Sequence, residues 1–228
     1  MTFGERIIDF TRALQVPDTP LPPGFEWLFP YEQPQTMQAL SDFYRKYYTD
    51  DRSRIFMFGI NPGRFGAGVT GVPFTDPIRL EAECGIKNDF AKKPELSSGF
   101  VWMFINAYGG PDTFCRDFYI TSISPLGFVR EGKNINYYDD RGLQKAVEPF
   151  IIRNIRTQLE LGARRETALC LGEGQNFAYF QKLNAVQGFF REIIPLPHPR
   201  WVMQYRRKRV DEFVGKYLEA MKSAAGGK

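Results

Sequence analysis

Polar and apolar positions follow two different periods along this 228-residue chain. Phe3, Ile7, Phe10 and Leu14 recur at helical spacing, which predicts an amphipathic helix over residues 3–14. Short apolar runs without polar alternation predict strands that are covered on both faces, as in a parallel sheet. Four such runs occur, at residues 54–58, 118–123, 168–172 and 193–197.

Helical patterns lie between and after these runs. The predicted segments are residues 37–47, 77–84, 98–108, 140–161, 174–184 and 210–221. Pro149 is expected to kink or interrupt the fourth of them, because proline lacks a backbone N–H. Elsewhere, several prolines predict an extended connector over residues 17–31, and polar residues predict a loop over residues 131–138. The tail from residue 224 onward is expected to fray.

Strands that alternate with loops and helices indicate the α/β class. The pattern predicts a three-layer α/β/α fold with a central four-stranded parallel sheet, covered by helices on both faces. No linker or internal repeat divides the sequence. We therefore expect a single domain over residues 1–228.

Two strand ends carry candidate chemistry. The first strand continues into residues 59–63 (GINPG), which open a loop rich in glycine and proline. Asn61 is the polar side chain at the tip of that strand, and the fourth strand ends at His198, the only histidine in the chain. Since α/β proteins place binding and catalytic groups at the carboxyl ends of their strands, both residues are expected in one site.

The composition is that of an ordinary globular protein, with 43% apolar and 25% charged residues. A net charge of +4 and a pI near 8.9 permit a polyanionic partner without requiring one. Cys84, Cys115 and Cys170 lie far apart, which predicts reduced thiols. No run has the length of a membrane span or the pattern of a leader, so we expect a cytoplasmic protein without membrane contact.

Three other kinds of site find little support in the sequence. The glycine-rich loop contains neither G-x-x-x-x-G-K-[ST] nor G-x-G-x-x-G, which argues against a nucleotide cofactor. There is no G-x-S-x-G elbow, and no cysteine stands beside His198. One histidine is too few for an ordinary metal site. We expect neither a cofactor nor a metal ion.

The glycine-rich loop resembles the first motif of a known family. Residues 59–63, Phe65-Gly66 and residues 70–74 (TGVPF) are similar to the first motif of the single-strand-selective monofunctional uracil-DNA glycosylases, and His198-Pro199 falls where that family has its second motif. Further matches follow in the expected order, at residues 100–102 and 123–126. The resemblance covers residues 40–220 and favours a bacterial branch of the family.

The resemblance implies a uracil-DNA glycosylase-like fold and a function in base excision repair. The expected reaction is hydrolysis of the N-glycosidic bond of uracil in DNA, and also of other deaminated bases such as xanthine. The enzyme must extrude the damaged base from the stack before it can act on it. No lysine stands in either motif, so a lyase step is not expected.

The resemblance also implies a role for each motif residue. Asn61 positions the attacking water, and because an amide is not a general base, the implied route is mainly dissociative. His198 donates a hydrogen bond to the carbonyl of the leaving base. Phe74 stacks on the flipped base, while Ile60 and Gly63 complete the base-binding set.

One position departs from the family pattern. Ser122 stands where the family commonly has an asparagine that reads the Watson–Crick edge of the base. A hydroxyl rotates and reaches less far than a planar amide, so the base range is expected to extend beyond uracil.

Contacts with DNA are expected from the segment after the second motif. Arg200 and Trp201 belong to the loop that would enter the duplex as a wedge. The residues expected to contact phosphates are Arg64, Arg206, Arg207 and Lys208. We expect a monomer that binds single- or double-stranded DNA.

Two alternatives stay open at this point. One is a non-catalytic nucleic-acid-binding module on the same fold, and the other is a small-molecule α/β hydrolase with an unrecognised site. Treatment of uracil-containing oligonucleotides with the protein and then with alkali separates them, because only a glycosylase leaves abasic sites.

Overall fold

The computed structural model describes residues 1–226. Seven strands and ten α-helices lie within this range. The strands are β1 (Phe25–Leu28), β2 (Ile55–Gly59), β3 (Phe118–Ser122), β4 (Gly127–Arg130), β5 (Lys133–Ile135), β6 (Thr167–Leu171) and β7 (Glu192–Leu196). The helices are α1 (Phe3–Ala13), α2 (Pro34–Tyr47), α3 (Ala67–Thr70), α4 (Pro77–Ala82), α5 (Leu96–Ala107), α6 (Gly110–Asp117), α7 (Arg141–Leu159), α8 (Gln175–Gln187), α9 (Pro199–Tyr205) and α10 (Val210–Gly226).

The central sheet has four parallel strands in the order β3-β2-β6-β7. Strand β2 is buried along its whole length, as expected for an inner strand covered on both faces. After β2 the chain adds β3 on one side of β2, and it later adds β6 on the other side of β2 and β7 beyond β6. The direction in which strands are added therefore reverses between β2 and β6. Such a reversal opens a crevice at the carboxyl edge of the sheet. The predicted α/β class and the four-stranded parallel sheet are confirmed.

A second sheet was not predicted. Strands β1, β4 and β5 form a three-stranded antiparallel sheet, so the predictions of a plain connector over residues 17–31 and a plain loop over residues 131–138 were wrong. The pairing of β1 with β4 joins Phe25 to Arg130, more than 100 residues later in the chain, and no local pattern announces it. Trp27 packs on its cross-strand partner Phe128 at a ring-centroid distance of 4.9 Å, and it holds the small sheet against α7 through Phe150 at 5.3 Å.

Three helical predictions need correction. Helix α7 is not interrupted at Pro149, because that residue is exposed and water can reach the carbonyl group that loses its partner there. Residues 199–205 form α9 rather than a loop, and Arg207–Arg209 form a separate 3-10 turn before α10. Helix α10 continues through Gly226 instead of fraying from residue 224; residues 227–228 lie outside the described part.

One large cluster of buried apolar side chains extends from α1 to α10 and encloses the central sheet. It includes Phe3 near the start of the chain and Met221 near its end, each fully buried. Among the described residues, none of the helices is both long enough and apolar enough to cross a membrane. The core therefore positions the sheet edge, where the loops after β2, β6 and β7 meet.

Candidate active site

A cleft of about 490 Å³ lies at the carboxyl edge of the central sheet, which is a suitable size for one nucleotide. Its walls come from the loops after β2, β6 and β7, from α9 and the start of α8, and from the segments around β5 and the start of α5. Seven of the residues expected from the sequence line it: Ile60, Asn61, Gly63, Phe74, His198, Arg200 and Trp201. The structure thus brings both motifs together in one place.

Asn61 is held in a single orientation by the segment that follows β5. Its Nδ2 donates to the carbonyl oxygens of Ile135 (3.2 Å) and Pro62 (3.3 Å), and its Oδ1 accepts from the backbone N–H of Tyr137 (3.1 Å). Both amide hydrogens are therefore used, and one lone pair of Oδ1 stays available. Asn61 can accept a hydrogen bond from a water molecule in the cleft, but it has no proton left to offer.

His198 occupies the junction between β7 and α9. It is the N-cap of α9, with Pro199 at the first helical position, and its Nδ1 accepts from the backbone N–H of Arg200 at 3.2 Å. Buried Tyr217 of α10 fixes the preceding turn by donating from its hydroxyl group to the Pro197 carbonyl oxygen. Because Nδ1 acts as an acceptor, the proton of the neutral ring sits on Nε2.

The charge state of His198 follows from its surroundings. Burial, together with the nearby Arg200 guanidinium, lowers the pKa of His198 to about 4. The ring is consequently neutral at physiological pH and offers Nε2–H as a hydrogen-bond donor. Such a group can stabilise negative charge on a leaving base without transferring a proton to it.

Phe74 forms a wall of the cleft beside His198, with 6.0 Å between the two ring centroids. Its backbone has φ of 51°, an unusual conformation for a non-glycine residue that costs roughly 1 kcal/mol. The Phe74 ring packs so closely on Gly59 that a Cβ atom there would lie 2.9 Å from the ring. Glycine at the end of β2 therefore lets the aromatic ring enter the cleft.

Ser122 lies outside the lining of the cleft. It ends β3 and borders a separate cavity of about 30 Å³ together with Pro62 and Pro73 of the glycine-rich loop. The motif match gave its position in the chain but not the cavity that its side chain borders. Reading of the base by Ser122 stays a prediction, without a contact in the cleft to support it.

The basic residues divide into two groups. Arg64 lines a neighbouring groove rather than the cleft, and the exposed Arg206, Arg207 and Lys208 follow α9. Arg206 lies over the Trp201 ring at 4.7 Å, and that ring also packs edge-on against Phe213. Trp201 is thus anchored in the fold. The exposed ring at the rim of the cleft is that of Tyr205, at 59% exposure.

Sequence reasoning missed several residues that line the cleft, and it missed Tyr137, which supports one of them. Tyr137 is fully buried, and its hydroxyl donates to Asn176 Oδ1 at 2.7 Å. Asn176, in the first turn of α8, also lines the cleft, as does Glu95 just before α5. The position of Asn176 after the strand β6 was a usable signal, because a strand end next to a topological reversal is where ligands bind. Tyr137 and Glu95 gave no local signal.

Comparison with known proteins agrees with this geometry. Residues 46–222 match the family model described as the uracil DNA glycosylase superfamily. The chain belongs to this superfamily. Among solved structures, the chain is similar to wild-type SMUG2 of Pedobacter heparinus, with 45% sequence identity, a TM-score of 0.97 and complete coverage of both chains. A search of curated proteins gave no match.

The family resemblance stated from the motifs is confirmed, and so is the prediction of a DNA glycosylase. Among the described residues of this glycosylase, no group of three or more His, Cys, Asp or Glu side chains is placed to hold a metal ion. The polar residues that line the cleft carry amides, hydroxyl groups, the His198 imidazole and a few charged groups.

Glu95 is the unusual titratable group of the glycosylase cleft. The carboxyl group of Glu95 packs so tightly against Gly66 that residue 66 has no room for a side chain. Oε2 of Glu95 is buried without a hydrogen-bond partner. Burial is the main cause that raises the pKa of Glu95; Ser97 and Arg200 oppose the shift and Asp76 adds to it, which brings the pKa to about 7. The carboxyl group is thus partly protonated at neutral pH.

We expect Glu95→Gln to stabilise the glycosylase at pH 8 but not at pH 4.5. Glutamate titrates near 4.3 in the unfolded chain, so the folded state binds this proton more tightly. Stability associated with Glu95 is present below that value and is lost as the pH rises through about 7. Since each unit of pKa corresponds to about 1.4 kcal/mol, the gain of the variant at pH 8 should be about 3–4 kcal/mol.

Urea unfolding at both pH values measures this difference, and Glu173→Gln on the exposed wall of the same cleft is the matched control. Equal gains for Glu95→Gln at both pH values would contradict the assigned protonation.

Proposed function

We propose that this glycosylase hydrolyses the bond between C1′ and the base nitrogen of deoxyuridine in DNA, with Asn61 and His198 as the catalytic residues. The observation that carries the proposal is their convergence: a free lone pair on Asn61 Oδ1 and the Nε2–H of neutral His198 belong to one nucleotide-sized cleft. An acceptor for water and a donor for the departing base are the two groups that the reaction needs.

The proposed reaction begins with departure of the base. As the C1′–N bond breaks, its electron pair goes to the base, and the sugar gains oxocarbenium character. His198 Nε2–H donates to the base carbonyl oxygen on which negative charge develops. Because the pKa of His198 is about 4, the ring stays neutral and contributes by hydrogen bonding rather than by proton transfer.

Water then adds to C1′. Asn61 Oδ1 accepts a hydrogen bond from this water and holds it in place, since the contacts with Ile135, Pro62 and Tyr137 prevent the amide from turning. The water loses a proton to solvent as its oxygen bonds to the sugar. Positioning of this kind stabilises the transition state without tightening the binding of DNA.

We propose that Phe74 stacks on the flipped base and that Ile60 and Gly63 line its edge. We further propose a base range that includes other deaminated bases such as xanthine. The cleft volume of about 490 Å³ supports this proposal, as does the absence of Ser122 from the residues described around the cleft.

The test is excision from single- and double-stranded oligonucleotides that carry uracil, xanthine or hypoxanthine at one position. Alkali cleaves the strand only where a base has been removed. Cleavage at uracil supports the proposal. Binding without cleavage would indicate a non-catalytic module, and neither binding nor cleavage would point to a small-molecule enzyme.

The DNA strand should follow the exposed basic residues around the cleft. We propose that Arg64, Arg200, Arg206, Arg207 and Lys208 contact phosphates and that Tyr205, exposed at the rim, is the wedge. We also propose a single-domain monomer in the cytoplasm. Three buried free cysteines suit a reducing compartment.

Replacement of Arg206, Arg207 and Lys208 by alanine should weaken DNA binding and flatten its dependence on salt. Each lost phosphate contact reduces the slope of log K against log salt concentration by about one. Fluorescence anisotropy from 50 to about 200 mM salt measures the slope. Arg209→Ala is the control, because Arg209 in the same turn is already paired with Glu212 at 2.6 Å. A triple variant with the wild-type slope would show that these residues do not contact DNA.

A further inference from the structure

A second cavity of about 460 Å³ continues from the cleft along the glycine-rich loop. It is named here the side groove and is lined by Arg64, Phe65, Glu95, Lys133, Asn134 and Arg200, together with short apolar segments. Glu95, Asn134 and Arg200 line both cavities, so a ligand can extend from one into the other. The proposed function assigns Arg64 and Arg200 to phosphate contacts but gives no role to Phe65, Lys133 and Asn134.

The charge of the side groove suits an anion. Arg64, Lys133 and Arg200 bring three positive charges, and none of them has a carboxylate partner among the ion pairs of the described residues. The facing acid is Glu95, whose pKa of about 7 leaves it partly neutral. Asn134 is fixed by the backbone N–H of Arg64, which donates to its Oδ1 at 3.1 Å.

The groove also presents an exposed aromatic ring. Phe65 is 43% exposed, although it belongs to the glycine-rich loop beside the site. Arg64 and Lys93 lie over its ring at 5.5 and 5.8 Å from the centroid. An aromatic ring surrounded by cations is the arrangement with which proteins bind single-stranded nucleic acid, because a base stacks on the ring and phosphates attract the cations.

A third observation lies where the two cavities meet. Glu95 Oε2 is buried there without a hydrogen-bond partner. A buried carboxyl oxygen without a hydrogen-bond partner is costly, so this atom indicates a ligand that brings a hydrogen-bonding group. Nucleobases carry such groups on their edges.

We propose that the side groove is a subsite for the nucleotide next to the flipped one, whose base stacks on Phe65 while its phosphates contact Arg64, Lys133 and Arg200. This assignment rests on the proposed function, since it takes the cleft to hold the flipped nucleotide. A stacked base displaces the cations from the ring, and the phosphates hold them instead. Because stacking of a base is stronger than an exposed cation–π contact, the exchange favours binding.

The test uses single-stranded oligonucleotides that carry 2′-fluoro-2′-deoxyuridine, which resists excision. The nucleoside on its 5′ or its 3′ side is replaced by an abasic tetrahydrofuran. Wild-type protein should bind the abasic strand roughly 5- to 100-fold more weakly for one of the two sides. Phe65→Leu should bind the intact strand more weakly by a similar factor and should not respond to the abasic replacement.

Two matched variants control for nonspecific effects. Lys133 and Arg130 are paired opposite each other in the β4–β5 hairpin, but only Lys133 lines the groove. Lys133→Ala should reduce the salt slope of binding by about one, whereas Arg130→Ala should not change it. Phe25→Leu removes a ring that also lies under an arginine, at 4.9 Å from Arg130, and should keep the wild-type response to the abasic site.

The subsite is refuted if wild-type protein binds all the strands equally or if Phe65→Leu keeps the wild-type response. Excision of uracil from an ordinary oligonucleotide is measured in parallel. If the protein excises uracil but binds the strand with an abasic neighbour as tightly as the intact strand, the subsite alone is overturned. If it binds the abasic strand more weakly but does not excise uracil, the proposed chemistry alone is overturned.

Discussion

His198→Ala should lower the single-turnover rate of uracil excision by about 10²- to 10³-fold, with binding of DNA little changed. The variant loses the Nε2–H that faces charge on the departing base, and removal of one such donor from a preorganised site typically has this effect. The loss should be smaller on 5-fluorouracil, because that base is a better leaving group and needs less stabilisation. Rapid-quench kinetics at saturating enzyme give both rates.

His198 is also the N-cap of α9, so loss of structure must be separated from loss of chemistry. His198→Asn keeps a side-chain acceptor for the helix and should recover most of the roughly 1 kcal/mol of stability that alanine loses. It should not recover the rate, because its shorter amide does not place a donor where Nε2 lies. A rate within threefold of wild type for His198→Ala would remove the residue from the mechanism.

The pH dependence provides a further check on His198. The pKa of His198 is lowered to about 4, so the ring should be neutral and able to donate from Nε2–H throughout the neutral pH range. The rate should therefore not change above pH 5 through titration of His198. In the unfolded chain, histidine titrates near 6.5. The stability that depends on the neutral ring is therefore present above that value and is lost as the pH falls through about 4.

Asn61→Ala should reduce the single-turnover rate by about 10²-fold while the affinity for a strand with 2′-fluoro-2′-deoxyuridine stays within threefold of wild type. Without Asn61 the attacking water is not held in place, so ordering it in the transition state costs additional entropy. This raises the activation free energy without weakening the binding of substrate. An undiminished rate would mean that the water is held elsewhere in the cleft.

Asn61→Asp separates orientation from basicity. Aspartate could accept a proton from water, but it cannot donate to the carbonyl oxygens of Ile135 and Pro62, which face the Nδ2 of Asn61 at 3.2 and 3.3 Å. We expect this variant to be slower than wild type, because repulsion from two carbonyl oxygens turns the carboxylate away. A faster variant would show that a stronger base outweighs the fixed geometry.

The sequence by itself determined the class of the fold and the two positions that we propose as catalytic. Short apolar runs without polar alternation are typical of strands in a sheet covered on both faces, and parallel strands bring their carboxyl ends to one edge. Asn61 and His198 follow two such runs directly, so their convergence in the cleft follows from local pattern and topology. The family motif then indicated the reaction.

Tertiary structure decided how these groups are held and what surrounds them. The orientation of Asn61 depends on Tyr137, 76 residues later in the chain, which follows the last strand of a second sheet that no local pattern predicted. The raised pKa of Glu95 depends on its burial against Gly66, and the cavity that Ser122 borders depends on the path of the glycine-rich loop. Hydrophobic periodicity reports which face of an element is buried, but contacts between distant segments set the partner of each polar atom, its charge state and the cavity that it lines.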